Sequence, residues 1–162
     1  MEDVLIFSSI QDEIENKWNK KKGILQLKRG QWEGDIYAWP NGCWYYGETK
    51  NTYADGLGCF YDIDYNDDYC RYVGDFINGK YEGFGKYRHF NGEYYTGYWK
   101  NNYRHGEGTI IYENGDIYSG SWKDGYRQGI GIYKYNKPRL GVKGFKAKWK
   151  LDSIDYYIEL LQ

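Results

Sequence analysis

Between Tyr72 and Gly131 one pattern is written almost three times, and its period restricts the fold more than anything else in the chain. Tyr72, Gly74, Phe76, Gly79, Gly83 and Gly85 are followed 23 residues later by Tyr95, Gly97, Trp99, Gly106 and Gly108. After another 23 come Tyr118, Gly120, Trp122, Gly125, Gly129 and Gly131. The shared form is Tyr-x-Gly-x-aromatic-x-x-Gly-x-x-x-Gly-x-Gly, with Asn102 once in place of the middle Gly. Repeats of this length stack as arrays in which each unit leans on its neighbours, rather than closing around one globular core.

Tyr95 to Trp99 reads as a strand, because aromatics dominate it and alternate side chains point to opposite faces. Tyr95, Gly97 and Trp99 then share a face, and the Gly leaves a gap into which a ring from a neighbouring strand can lie. The Gly-x-x-x-Gly stretch that follows reads as a turn, since glycine takes positive φ freely. A second strand is expected from Thr109 to Tyr112, ending at Asn114-Gly115, a strong hairpin signal. Asn91-Gly92 and Asn41-Gly42 occupy the same place in other units. The chain is thus a row of β-hairpins.

These residues resemble the MORN family (membrane occupation and recognition nexus repeats), whose units have this spacing and often a Trp-Pro-Asn-Gly turn, here Trp39 to Gly42. The resemblance runs from about Trp32 to Trp149. It implies an all-β fold: an elongated, single-layer, twisted antiparallel sheet of repeat hairpins, about ten strands in all. Units start near Tyr45, Tyr72, Tyr95, Tyr118 and, in degenerate form, Phe145. The expected organisation is an N-terminal arm and capping helix over 1–30, the sheet over 31–150, and a C-terminal capping helix over 151–162.

A single layer buries no thick aliphatic core, so stacked rings must substitute, and the chain carries 21 Tyr against 6 Phe. Tyr suits the role because its ring packs while its hydroxyl stays wet. The net charge of −1 points to neither nucleic acid nor membrane through bulk electrostatics. No apolar run is long enough to span a bilayer, and Val4 to Phe7 is too short for a signal-peptide core. Cys43, Cys59 and Cys70 form no Cys-x-x-Cys, which argues for a reduced compartment and against a metal site. A cytoplasmic protein without cofactor is expected.

At the N-terminus, Ser9 to Asp12 reads as a helix start, with Ile10, Ile14 and Trp18 on one face. Lys17 and Lys20 to Lys22 give that helix an alternative as a membrane-surface element, which Asp12, Glu13 and Glu15 oppose. Ile24 to Leu27 and Trp32 to Trp39 read as a first, irregular hairpin. The unit from Tyr45 runs 27 residues, and its extra length falls in the acidic stretch Asp62 to Asp68. Asp62-x-Asp64-x-Asn66 invites comparison with a calcium loop, but Asp67 and Val73 stand where such a loop needs Gly and Glu. Pro138 falls in a long turn before the last unit. There Phe145 and Trp149 share the stacking face while Lys146, Lys148 and Lys150 share the other. Asp152 reads as the cap of a short helix with Ile154, Tyr157, Ile158 and Leu161 as its apolar stripe. It would cover the open end of the array or make a dimer contact.

No catalytic constellation is legible. His89 and His105 are the two histidines, and His105 stands where Glu82 and Gln128 serve in other units. The glycines follow the repeat rather than forming a phosphate loop. Two surfaces could bind. Lys80-Tyr81-Glu82, Tyr103-Arg104-His105 and Tyr126-Arg127-Gln128 are expected as turns along one edge, presenting Tyr81, Tyr103, Arg104, Tyr126 and Arg127 to a protein partner. The basic stretch Lys134 to Lys150, with Lys143, Lys146, Lys148 and Lys150, could meet anionic lipid, or the acidic stretch Asp55 to Asp68 of a second molecule, as in a homodimer through the C-terminal unit. It could also simply blunt an exposed last strand. The resemblance implies a non-catalytic scaffold near cytoskeleton or membrane, with lipid recognition as the alternative.

Overall fold

The computed structural model describes residues 35–38, 43–61 and 71–162, all within the unit spanning 35–162. Among them run β1 (Asp35–Ala38), β2 (Trp44–Lys50), β3 (Tyr53–Tyr61), β4 (Tyr72–Ile77), β5 (Lys80–Arg88), β6 (Tyr94–Lys100), β7 (Tyr103–Ile111), β8 (Ile117–Lys123), β9 (Tyr126–Arg139), β10 (Val142–Lys150) and β11 (Ser153–Leu161). These eleven strands make one sheet, with strand order equal to chain order and every pairing antiparallel.

Each repeat reverses through two consecutive residues with positive φ: Asn51-Thr52, Asn78-Gly79, Asn101-Asn102, Asp124-Gly125 and Leu151-Asp152. Two left-handed residues in a row are the tight hairpin turn whose twist matches that of the flanking strands, and Asn, Asp and Gly tolerate it best. The second strand therefore starts at once. In the third unit it starts at Tyr103 rather than Thr109, so the expected turns Lys80–Glu82, Tyr103–His105 and Tyr126–Gln128 are instead the first residues of β5, β7 and β9. The following glycines (Gly56, Gly83, Gly106, Gly129) also have positive φ, yet they form bulges. Gly97 pairs with Gly108, but Trp99 already pairs with Arg104, so β7 is locally two residues longer than β6.

The Asn-Gly sites close the other end of each hairpin as wider turns. Gly92 N–H donates to His89 O and Gly115 N–H to Tyr112 O. The Asn91 and Asn114 carboxamides accept the N–H of Glu93 and Asp116. Before the last unit, the extra residues lengthen β9 instead of forming a long turn. Leu140-Gly141 makes the reversal, and Pro138 sits where the pairing skips between Gly144↔Lys134 and Val142↔Arg139.

The C-terminal segment is a strand, not the expected helix. Register shifts in β10–β11 place Ile154, Tyr157 and Leu160 opposite Trp149, Ala147 and Phe145. Two bulges in nine residues thus recycle the same face every third residue, and that spacing imitates a helical stripe. The N-terminal helix, the strand Ile24 to Leu27, the turn Asn41-Gly42 and the acidic stretch Asp62 to Asp68 lie outside the described residues.

The core is a single file of rings on one face of the sheet, here called the ladder face. Tyr45, Phe76, Tyr72, Trp99, Tyr95, Trp122, Tyr118 and Trp149 follow one another with centroids 5.0–5.5 Å apart, each pair edge to face, and Phe145 ends the file at 6.0 Å. Trp99 and Trp122 each touch the Tyr of their own unit and that of the unit before, and Trp149 touches Phe145 and Tyr118. The rings lie on a row of glycines crossing the sheet: Gly47, Gly58, Gly74, Gly85, Gly97, Gly108, Gly120 and Gly131 are successive cross-strand neighbours, ending at Ala147. The gap beside Gly97 is filled by the unit's own Tyr95, whose ring covers Gly108, rather than by a neighbouring strand. A Cβ at Gly108 would overlap the Tyr95 hydroxyl and the ring carbons beside it. Gly108→Ala is therefore expected to cost about 1–3 kcal/mol as overpacking, read as a lower urea midpoint. Ser119→Ala, on the other face, is the control for a shift specific to the ladder.

Candidate interaction surfaces

Which side chains a hairpin can offer is decided by three columns of the repeat. The first is the ninth residue after the leading aromatic: Ala54, Tyr81, Arg104, Arg127 and Ile154. It pairs across the turn with Thr49, Phe76, Trp99, Trp122 and Trp149, and so faces the ladder. Tyr81 stacks on Tyr72 at 3.8 Å and meets Trp99 edge-on at 5.5 Å. The Arg104 guanidinium lies 4.9 Å from the Trp122 ring and 5.5 Å from Tyr95. That of Arg127 lies 4.1 Å from Trp149 and 5.6 Å from Tyr118. A planar cation over a ring can replace a stacked phenol because it is flat, weakly hydrated and attracted by the π face. Arg127 is fixed further by Asp152, whose Oδ1 accepts its Nε–H at 2.9 Å.

Next in sequence comes the column Asp55, Glu82, His105 and Gln128, which joins one hairpin to the next. The N–H of Asn78, Asn101 and Leu151 donates to Asp55 Oδ2 (3.3 Å), Glu82 Oε2 (2.9 Å) and Gln128 Oε1 (3.4 Å). In the remaining unit His105 Nδ1 lies 3.4 Å from Asp124 Oδ1. The free substitution seen at this place in the sequence has this cause, since any side chain able to hold the next turn will serve. His89 Nδ1 lies 3.0 Å from Asn91 Oδ1 within its own turn.

On the opposite face, beside the tight turns, stands the third column pair. Tyr53, Tyr103 and Tyr126 are 58%, 57% and 49% exposed. The Tyr53 and Tyr103 rings border Gly79 and Gly125 of the following turn. Their cross-strand partners are Lys50, Lys100 and Lys123, all exposed. The five residues expected to form one partner-binding row thus divide: Tyr81, Arg104 and Arg127 lie over the ladder, while Tyr103 and Tyr126 face the other way. A count of charges along the chain does not reveal the lysine column, because its members are 23 or more residues apart. Read down the repeat, the fifth residue after the leading aromatic is Lys50, Ile77, Lys100, Lys123 and Lys150.

The basic C-terminal residues also divide. β10 lies between β9 and β11, so it is not the edge that its lysines were expected to blunt. Lys146 and Lys150 pair with Glu159 and Ser153, and Lys148 lies 5.5 Å from the Tyr156 ring. Lys143 is exposed beside the β9–β10 hairpin tip, whose Leu140 is fully exposed.

One buried charge stands at the base of that hairpin. Asp116, 4% exposed, accepts Asn136 N–H (2.8 Å), the Tyr133 hydroxyl (2.9 Å) and the Asn114 amide (3.0 Å), with Arg139 at 3.6 Å. Burial alone would raise its pKa, but these donors and the Arg139 charge outweigh it and hold the carboxyl below its ordinary range. Tyr72, Tyr95 and Tyr118 are pushed the other way, chiefly by burial of their hydroxyls, which donate to the backbone carbonyls of Asp75, Tyr98 and Ser121.

Residues 72–94, 95–117 and 118–137 each match the family model of the MORN repeat. This stretch of the chain belongs to the MORN family. The structure adds MORN-like units outside the match, since the hairpin from Tyr45 repeats the glycine pairing (Gly47↔Gly58) and the strand from Phe145 repeats the ring stacking. No curated protein matches the chain. Among the described residues no helix is long and apolar enough to cross a membrane.

Two outcomes follow for the MORN sheet. Arg104→Tyr, which copies Tyr81, is expected to keep stability within about 0.5 kcal/mol, whereas Arg104→Ala loses about 1 kcal/mol, both measured by urea unfolding. For Asp116, a depressed pKa contributes stability above the unfolded value near ~3.9, lost as pH falls through the folded value. Asp116→Asn is thus less stable than wild type at neutral pH, and the gap in melting temperature narrows below about pH 4.

Proposed function

We propose that this chain is a non-catalytic interaction scaffold whose partner is a protein, bound on the face opposite the ladder. The observation that carries the reading is the column of half-exposed tyrosines, of which Tyr103 and Tyr126 are the best placed. Rings with a polar tip on a rigid sheet offer contact area at low entropic cost, as interfaces favour. Arg104, Arg127 and Tyr81 support the scaffold from within, and the titrating groups of the repeats hold turns together. In a MORN array this leaves the sheet's regular spacing as the feature a partner would read, in keeping with a protein working beside cytoskeletal or membrane structures.

A second reading, recognition of anionic lipid, has one observation in its favour: the fully exposed Leu140 flanked by Lys137, Arg139 and Lys143 with no acid among them. A basic hairpin with an apolar tip suits a charged bilayer surface. Self-association through the C-terminal unit is compatible with either.

The test combines pull-down from cell extract with co-sedimentation on phosphatidylserine vesicles. The scaffold reading expects a captured protein that is lost in Tyr103→Ala/Tyr126→Ala but retained in Leu140→Glu/Lys143→Glu. Vesicle binding that falls only in the second variant, with no protein captured, would replace it by the lipid reading.

A further inference from the structure

Within that scaffold reading, the chemistry of the partner can be narrowed. Along the turn-side margin of the face opposite the ladder, the fifth and eighth residues of every unit from β2 to β11 are exposed, and none of them is acidic. Lys100, Lys123 and Lys150 lie on alternate strands, with Tyr103 and Tyr126 between them. Lys50 and Tyr53 continue the row at the other end, and Ile77 and Lys80 exchange the two roles between them. Lys100, Lys123 and Lys150 follow one another two strands apart, which is about 9.4–9.8 Å.

One row further from the turns the charge changes sign. Glu48, Asp55, Asp75 and Glu82 occupy β2 to β5 there, each accepting a backbone N–H, followed by Tyr98, His105, Ser121 and Gln128. A flat anionic bilayer laid on this face would meet the acids together with the lysines. An open sheet also turns by roughly 20–25° per strand, so no single plane reaches lysines eight strands apart. A narrow ligand running along the margin meets the lysines and tyrosines, with Ile77 and Ser153 as the two other residues of the row.

We propose that this margin is a track for an extended acidic segment of a protein partner, with a carboxylate at every third residue. A polyproline II chain advances about 9.3 Å per turn of three residues and repeats the same side each turn. Its carboxylates therefore fall in register with successive lysines, and its prolines or other flat groups lie on the intervening Tyr rings, a surface on which such chains dock.

The test uses labelled synthetic peptides on the full chain, followed by fluorescence anisotropy at low and physiological salt. One probe is five Glu-Pro-Pro triplets; the other has the same composition with the five Glu in one block. The expected result is binding of the spaced probe roughly tenfold tighter than the blocked one, weakened by salt. It is lost in Lys100→Glu/Lys123→Glu/Lys150→Glu with the circular dichroism spectrum unchanged. Equal affinity for both probes, binding of neither, or tighter binding of a helical probe with Glu at every seventh residue would overturn the proposal. If a protein is captured through Tyr103 and Tyr126 while both probes fail, the scaffold reading stands and the acidic track falls. Binding to phosphatidylserine vesicles in place of any peptide or protein removes both.

Discussion

Everything in this sheet depends on a tyrosine lying flat across two glycines. The ring needs a backbone with no Cβ beneath it, and the paired glycines at the second and thirteenth places after it supply that floor. Once the ring lies down, its hydroxyl reaches the carbonyl three residues on, and in Tyr95 and Tyr118 a Trp meets it edge to face from each side. That Trp serves two units at once, so the file of rings is also the joint between repeats. Trp99 and Trp122 strengthen the joint by donating their indole N–H to Gly85 O and Gly108 O of the preceding unit. Trp149 makes no such bond; its buried Nε1 has no partner among the described residues, and Arg127 covers its ring instead.

A single layer has no second sheet to press against, so each hairpin must be held by its neighbours and by its own turns. The sheet does this redundantly along one margin. The N–H of Gly79, Asn102, Gly125 and Asp152 donates to the carbonyls of Ala54, Tyr81, Arg104 and Arg127, the lid residues that cover the ladder one hairpin earlier. Side chains of the adjacent column hold the turn residue just before. Stability of this kind is local and additive, as expected of stacked repeats. Substituting one lid by another, Tyr for Arg, changes a single joint and leaves the frame alone.

The same construction explains why so few side chains are left over for recognition. Polar groups in the repeat columns hold turns, cover rings or stabilise bulges, and the basic last unit pairs with β11 on one side. Lys80 of the margin on the opposite face also reaches the next turn, donating to Asn101 Oδ1 at 3.3 Å; the side chains that recur there otherwise are Lys100, Lys123 and Lys150 with Tyr103 and Tyr126. Their spacing is that of the strands themselves, so any ligand that reads it reads the sheet as a ruler.

The period and the residue types within it determined by themselves that the chain is a row of antiparallel hairpins of the MORN type, because Tyr, Gly and Trp at fixed intervals have few other ways to pack. They also showed that His105 occupies an exchangeable place. The sequence could not say which way each side chain faces beyond the first strand, since the bulge at Gly83, Gly106 and Gly129 adds residues that a two-residue alternation does not count. Hence Tyr81 and Arg104, equivalent by the period, lie over the ladder, while Tyr103, expected on the same edge, faces the other way. Ser153 to Leu161 is the plainest case: its apolar spacing fits a helix and a doubly bulged strand equally well. Only the presence of β10 as a hydrogen-bonding template decides between them, and that is a contact between segments which no local pattern contains.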